Sequence, residues 1–183
     1  MPKKCSILFC VMLLVAVKGS VYAQVKPSAT GHQPTLSAGA FGSVFQPDYA
    51  GNGVAQASPN PLVGIGAYVD YKMNRYLAAE AEGNWLQFNQ YAGITEHTYL
   101  IGPKVYIHDF GKLAPYGKFL IGGGTGSFLN GFTTVLSYGA GADYDLGRHW
   151  ILRAGDFEFQ QWLITPQLHP YGGSVGIAYK ILK

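Results

Sequence analysis

Residues 61–89 read PLVGIGAYVDYKMNRYLAAEAEGNWLQFN. Before the break at Met73-Asn74-Arg75, Val63, Ile65, Ala67, Val69 and Tyr71 alternate with Gly64, Gly66, Tyr68, Asp70 and Lys72. After it, Leu77, Ala79, Ala81 and Trp85 alternate with Glu80, Glu82 and Asn84. A period of two marks a strand with one apolar face. Two such runs across a tight break read as an antiparallel hairpin. Both runs exceed the ~9–11 residues that a tilted strand needs to cross the hydrocarbon of a bilayer.

The same pattern extends in both directions. It predicts eight strands: Thr35–Gln46, Pro61–Met73, Arg75–Asn89, Thr95–Asp109, Leu113–Ser127, Phe132–Leu146, His149–Trp162 and Tyr171–Leu182. No stretch shows a helical period. Tight connections around residues 73–75, 109–112 and 146–149 alternate with longer ones at 47–60, 90–94, 128–131 and 163–170. Short periplasmic turns alternating with longer external loops are the habit of an eight-stranded antiparallel up-and-down transmembrane β-barrel. That all-β fold is the expectation for residues 35–183, placed in the cell outer membrane.

Composition agrees. The 183-residue chain is 48% hydrophobic, 14% aromatic and only 13% charged, about half the usual ~25% charged fraction. Disorder and highly charged nucleic-acid binding are thereby disfavoured. No apolar run reaches the ~18 residues of a membrane-spanning helix. Residues 1–23 read as a secretory signal peptide: Lys3 and Lys4, an apolar core from Ile7 to Val17, then Val21-Tyr22-Ala23. A short N-terminal periplasmic lead, residues 24–34, would follow. Both cysteines, Cys5 and Cys10, lie in the leader, so the mature chain is expected to have neither disulfide nor thiolate chemistry. Removing Lys3, Lys4 and Lys18 leaves ten basic residues against ten acidic ones. A formally neutral chain has no electrostatic case for nucleic acid.

Alternation does not by itself say which face points inward, because soluble ligand-carrying barrels alternate too. Glycines decide. Gly64, Gly66, Gly102, Gly122, Gly124, Gly139, Gly141 and Gly176 share the face that carries the charges. An eight-stranded barrel is just wide enough inside for side chains, so small residues mixed with charges suit a crowded lumen. The apolar face carries Tyr71, Trp85, Tyr138, Tyr144, Tyr171 and Tyr179, as interfacial aromatic girdles do. The inward set then comprises Asp70, Lys72, Glu80, Glu82, Lys104, Lys118, Asp143, Arg153, Glu158 and Lys180, expected to form a mutually neutralising ion network. Two positions break the alternation. Pro103 removes a ladder donor in mid-strand and predicts a local bulge. A one-residue bulge near Gly155 would turn Arg153, Asp156 and Glu158 inward and Phe157 and Phe159 outward.

Leu100-Ile101-Gly102-Pro103-Lys104, Pro115-Tyr116-Gly117-Lys118 with Gly122-Gly123, and Arg153-Ala154-Gly155-Asp156-Phe157 occur in an order that resembles the small outer-membrane barrels of the OmpA/OmpX-like superfamily. The generic outer-membrane β-barrel domain of Gram-negative bacteria is the most similar member. The resemblance covers nearly all of residues 24–183. It implies outer-membrane lipid and the barrel assembly machinery as partners, an external ligand of unstated kind, and no cofactor. It also implies an assembly signal in the last strand, at Ser174, Gly176, Tyr179 and Ile181. The chain departs in ending on Leu182-Lys183 where the class usually has a terminal aromatic. The strand pattern runs to that end, so no peptidoglycan-binding domain is expected beyond it.

Catalytic constellations are sparse. Glu80 and Glu82 lie two residues apart on one face, about 7 Å by strand rise; a carboxylate pair is conceivable there, but lumen acids facing lysines and Arg153 are the simpler reading. His32, His97, His108, His149 and His169 show no metal-ligand spacing. The glycine run 122–126 fits no phosphate-loop pattern. No catalytic, cofactor or metal residue is expected. Three functional classes remain: a structural or surface-interaction barrel working through its external loops, a narrow pore or small-solute transporter, and a barrel-embedded lipid-modifying enzyme.

Overall fold

Alternating apolar and small or polar residues produce strands, and their tight breaks produce hairpins. The computed structural model describes residues 34–47, 61–88, 93–108, 110–127, 129–165 and 167–182. Eight strands run in chain order: β1 (Thr35–Gln46), β2 (Leu62–Lys72), β3 (Leu77–Leu86), β4 (Glu96–Tyr106), β5 (Leu113–Gly126), β6 (Thr133–Asp145), β7 (Trp150–Trp162) and β8 (Tyr171–Leu182). Each pairs antiparallel with the next, and β8 returns to β1, closing the barrel. The leader, the lead up to residue 33 and residues 48–60 of the first loop lie outside the described residues.

All three short turns fall at one end. In the first, Asn74 Oδ1 accepts from the Tyr76 and Leu77 amides at 2.8 and 2.9 Å. That local bond removes Arg75 and Tyr76 from the expected strand, so β3 starts at Leu77. In the third, Asp145 Oδ1 accepts from the Gly147 amide at 2.8 Å. Gly147 has φ +136, a backbone conformation that residues with a Cβ rarely adopt.

The burial pattern separates the faces as the period of two requires. Asp70, Glu80, Glu82, Lys104, Lys118 and Arg153 are buried; Val69, Tyr71, Ile101, Val105, Tyr138, Ile177 and Tyr179 are exposed. Both pairings of β7 shift register around Ala154–Gly155. This bulge keeps Arg153, Asp156 and Glu158 inside while Phe157 and Phe159 face out. The expected bulge at Pro103 is absent. Ile101 pairs with Ile121 and Lys104 with Lys118 in one unbroken register, and the ladder omits only the two positions between. A proline lacks the N–H of a ladder bond, and dropping that bond needs no extra residue.

Candidate functional site

The lumen is filled in three layers. At the long-loop end, seven strands each turn an apolar side chain inward. Phe45, Leu62 and Leu86 form one cluster; Leu100, Leu120, Val135, Trp162 and Leu168 form another, and Ile94 packs against both. Leu168 belongs to the β7–β8 connection. It is nonetheless only 1% exposed. The Trp162 amide donates to the Leu168 carbonyl at 2.9 Å, drawing the loop back over the mouth. The Trp162 ring lies over Gly124, where an added Cβ would stand 2.6 Å from it. Neighbouring glycines make the same kind of room elsewhere: Gly139 for the Lys118 stem and Gly141 for Tyr116. This apolar layer is legible only by parity, because Leu100 and Leu120 share the face of Lys104 and Lys118.

The middle layer is ionic. Lys118 Nζ lies 2.6 Å from Asp156 Oδ2, 2.6 Å from Glu158 Oε1, 2.9 Å from Glu82 Oε2 and 3.1 Å from Glu80 Oε1. Lys104 Nζ lies 3.1 Å from Asp70 and Glu80 and 2.9 Å from Asp143. Arg153 donates to Glu80 Oε2 at 2.7 Å and to Asp156 Oδ2 at 3.3 Å. Its guanidinium also lies over the Tyr68 ring, 3.6 Å from the centroid. Ser137 and Gln160 donate to Glu158 Oε2 at 2.9 and 3.4 Å. Ser43 donates to Asn84 Oδ1 at 2.7 Å just above.

Of the ten residues that the sequence assigns to the network, eight meet here: Asp70, Glu80, Glu82, Lys104, Lys118, Asp143, Arg153 and Glu158. Asp156 completes the cluster. Lys72 and Lys180 sit instead at the short-turn edge. Lys72 rests its ammonium over the Tyr106 ring at 4.0 Å. Lys180 donates to Asp145 Oδ2 at 2.7 Å and to the Gly147 carbonyl at 3.1 Å. Mutual neutralisation is therefore not reached within the cluster of nine, where six carboxylates surround three cations. Carboxylate oxygens of Glu80, Glu82 and Asp156 lie close enough to share a cation. The cation standing among them is the Lys118 ammonium.

The third layer closes the short-turn end. Ala78, Tyr106 and Tyr116 pack together, with the two rings edge to face at 5.9 Å. Tyr106 donates to Asp143 Oδ2 at 2.8 Å. Lys104 lies over the Tyr116 ring at 3.8 Å. The assembly-signal positions divide by face: Ser174 is buried, while Tyr179 and Ile181 are exposed. Gly176 faces in above Phe41. The described histidines stay on the outer surface and rims, with His149 stacked on Tyr179 and His169 on Phe159.

A family model described as outer membrane protein beta-barrel domain matches residues 9–180. The N-terminal β-barrel domain of Pseudomonas aeruginosa OprF superposes with a TM-score of 0.56 at 11% identity, covering 81% of this chain and 100% of that one. Neisserial surface protein A gives 0.55 at 12% identity, covering 81% and 97%. Ail, the attachment invasion locus protein of Yersinia pestis, was solved in complex with the heparin analogue sucrose octasulfate; it gives 0.50 at 16% identity, covering 81% and 97%. At these identities the likeness is one of fold. No curated protein matches the sequence.

Proposed function

This chain belongs to the outer membrane protein β-barrel domain family, and on that premise we propose that it is a structural and surface-interaction barrel whose external loops are its working surface. It is an outer-membrane protein, a transmembrane barrel of eight strands. In this reading its short turns face the periplasm and its longer loops face out. The leader Met1–Ala23 carries it across the inner membrane, and the assembly machinery reads Ser174, Gly176, Tyr179 and Ile181.

The filled lumen carries this reading. Trp162, Val135 and Leu120 at the outer level and Glu80, Lys104 and Arg153 at the middle one are each 0% exposed. A pore of this width would need the apolar layer to leave and the ion pairs to break. The carboxylate pair of Glu80 and Glu82 is held by Lys118 and Arg153, out of reach of a lipid substrate. What remains for recognition is the loops, carried on a rigid scaffold.

Their composition narrows the partner. Residues 47–61, 87–95, 127–132 and 163–170 contain no lysine or arginine, and Asp48 is their one acid. A sulfated polyanion of the kind bound to Ail finds no cation to grip there. Phe88 and Phe132, exposed beside these loops, and the Asn-, Gln- and Ser-rich segments suit an uncharged partner held by hydrogen bonds and ring contacts. The test has two arms. Planar-bilayer recording of the refolded barrel should show no steady conductance. Replacing residues 48–58 with a short Gly/Ser linker should leave insertion intact and abolish adhesion of expressing cells to host or bacterial surfaces. Steady conductance moves the function into the lumen; adhesion that survives the replacement removes this loop from it.

A further inference from the structure

The two ends of the barrel differ sharply in charge, and the short-turn end has a composition of its own. Each of its three turns presents one basic residue at its tip: Arg75, Lys112 and Arg148, all exposed. Each is flanked by exposed apolar or aromatic side chains. Met73 and Tyr76 flank Arg75; Phe110 and Leu113 flank Lys112; Leu146 and Trp150 flank Arg148. The Arg75 guanidinium lies over the Tyr76 ring, 5.4 Å from the centroid. Among the described residues no carboxylate pairs with these three tips. Asp145, the nearest acid in the third hairpin, is taken by Lys180 and the Gly147 amide. Asp109 is the single acid within the three turns and lies outside the described residues.

We propose that Arg75, Lys112 and Arg148 form a basic collar that binds the phosphate groups of anionic phospholipid in the leaflet at the short-turn end. Exposed apolar side chains line the outer wall and recur at the short-turn rim as Tyr76, Phe110 and Trp150, so the collar sits where hydrocarbon gives way to headgroups. Rings anchor at that level, and long basic side chains reach from it to the phosphates. Lipid is the partner that meets all three turns at once, because they are spread around the rim rather than gathered on one face. The opposite rim, without lysine or arginine in its loops, offers no counterpart. The collar therefore gives the barrel a headgroup preference confined to one leaflet.

The proposal rests on the transmembrane reading, and its test separates the two. The folded barrel is reconstituted in phosphatidylcholine bilayers, and its association with spin-labelled phosphatidylglycerol and phosphatidylcholine is compared by electron paramagnetic resonance. A basic residue beside an anionic surface contributes roughly a fivefold factor. At least about a fivefold preference for phosphatidylglycerol is expected at low salt, with a marked fall in 0.5 M NaCl, about three times the ~0.15 M of physiological solutions. The triple variant R75Q/K112Q/R148Q should lose the preference and keep the gel-mobility difference between unboiled and boiled samples that marks a folded barrel. Equal association of both lipids with the native barrel overturns the proposal, as does an undiminished preference in the triple variant. If inorganic phosphate competes away the preference at unchanged ionic strength, the site reads free anions rather than lipid, and the proposal also falls. Loss of the mobility difference in the native protein would instead strike the transmembrane reading itself.

Discussion

Lys118→Met removes the charge that four carboxylates share. Its Nζ stands 2.6–3.1 Å from Asp156, Glu158, Glu82 and Glu80. Methionine keeps most of the stem that packs over Gly139, so lost volume contributes little. Breaking a buried pair by deleting one partner costs ~3–5 kcal/mol. Glu158 and Glu82 lose their close cation at once here, while Glu80 and Asp156 keep Arg153, so the upper end, about 5 kcal/mol, is expected. That is a third or more of the ~5–15 kcal/mol that holds a typical domain folded. The opposite deletion is the control. Six carboxylates face three cations, so Glu82→Gln removes repulsion along with attraction and leaves Lys118 three acids. Contrary to the simple rule that losing either partner is costly, Glu82→Gln should stay within about 1 kcal/mol of the native barrel, the size of one ordinary hydrogen bond. The assay is urea unfolding of the refolded barrel in phospholipid vesicles, followed by tryptophan fluorescence and by gel mobility of unboiled samples. A Lys118→Met barrel as stable as the native one refutes the account of the lumen, as does Glu82→Gln proving the more damaging change.

Trp162→Ala empties the outer apolar layer and should cost ~3–5 kcal/mol in the same titration; onset of bilayer conductance in that variant would identify the ring as the mouth's seal. Gly102→Ala drives a Cβ into the Phe119 carbonyl, whereas a Cβ on Gly42 meets nothing within 4 Å. The first should therefore reduce the heat-shifted, folded fraction on gels strongly and the second leave it unchanged. Tyr179→Asp points a charge at lipid from the proposed assembly strand and should cut outer-membrane insertion several-fold, with Tyr179→Phe inserting normally. An Asp at 176 is a poorer probe, because its Cβ would stand 2.5 Å from the Ala40 carbonyl oxygen.

How much of this was legible in sequence depends on the range of the interactions concerned. Strand identity, number and facing follow from a two-residue period, which any one strand displays without knowing its neighbours. That is why β1 and β8 have the expected ends and why glycine on the charged face correctly marks the lumen. The bulge at Ala154–Gly155 was legible for the same reason: two acids cannot face lipid while arginine and phenylalanines keep their sides. Pro103 misleads because a missing N–H perturbs one ladder bond, and only the partner strand decides whether that bond matters.

The contents of the lumen are another matter. Which acid meets which lysine depends on strand register and on the stagger of the closed barrel, which no single strand encodes. Asp70 on β2 reaches Lys104 on β4, and Glu80 on β3 reaches Arg153 on β7, across the interior rather than along a ladder. Sequence could count ten acids and ten bases. Only closure decided that six of those acids surround three of the bases, while Lys72 and Lys180 stay at the edge. The apolar seal was hidden likewise: Leu100, Leu120, Trp162 and Leu168 come from four separate segments and meet only when β8 pairs with β1 and the circle is complete.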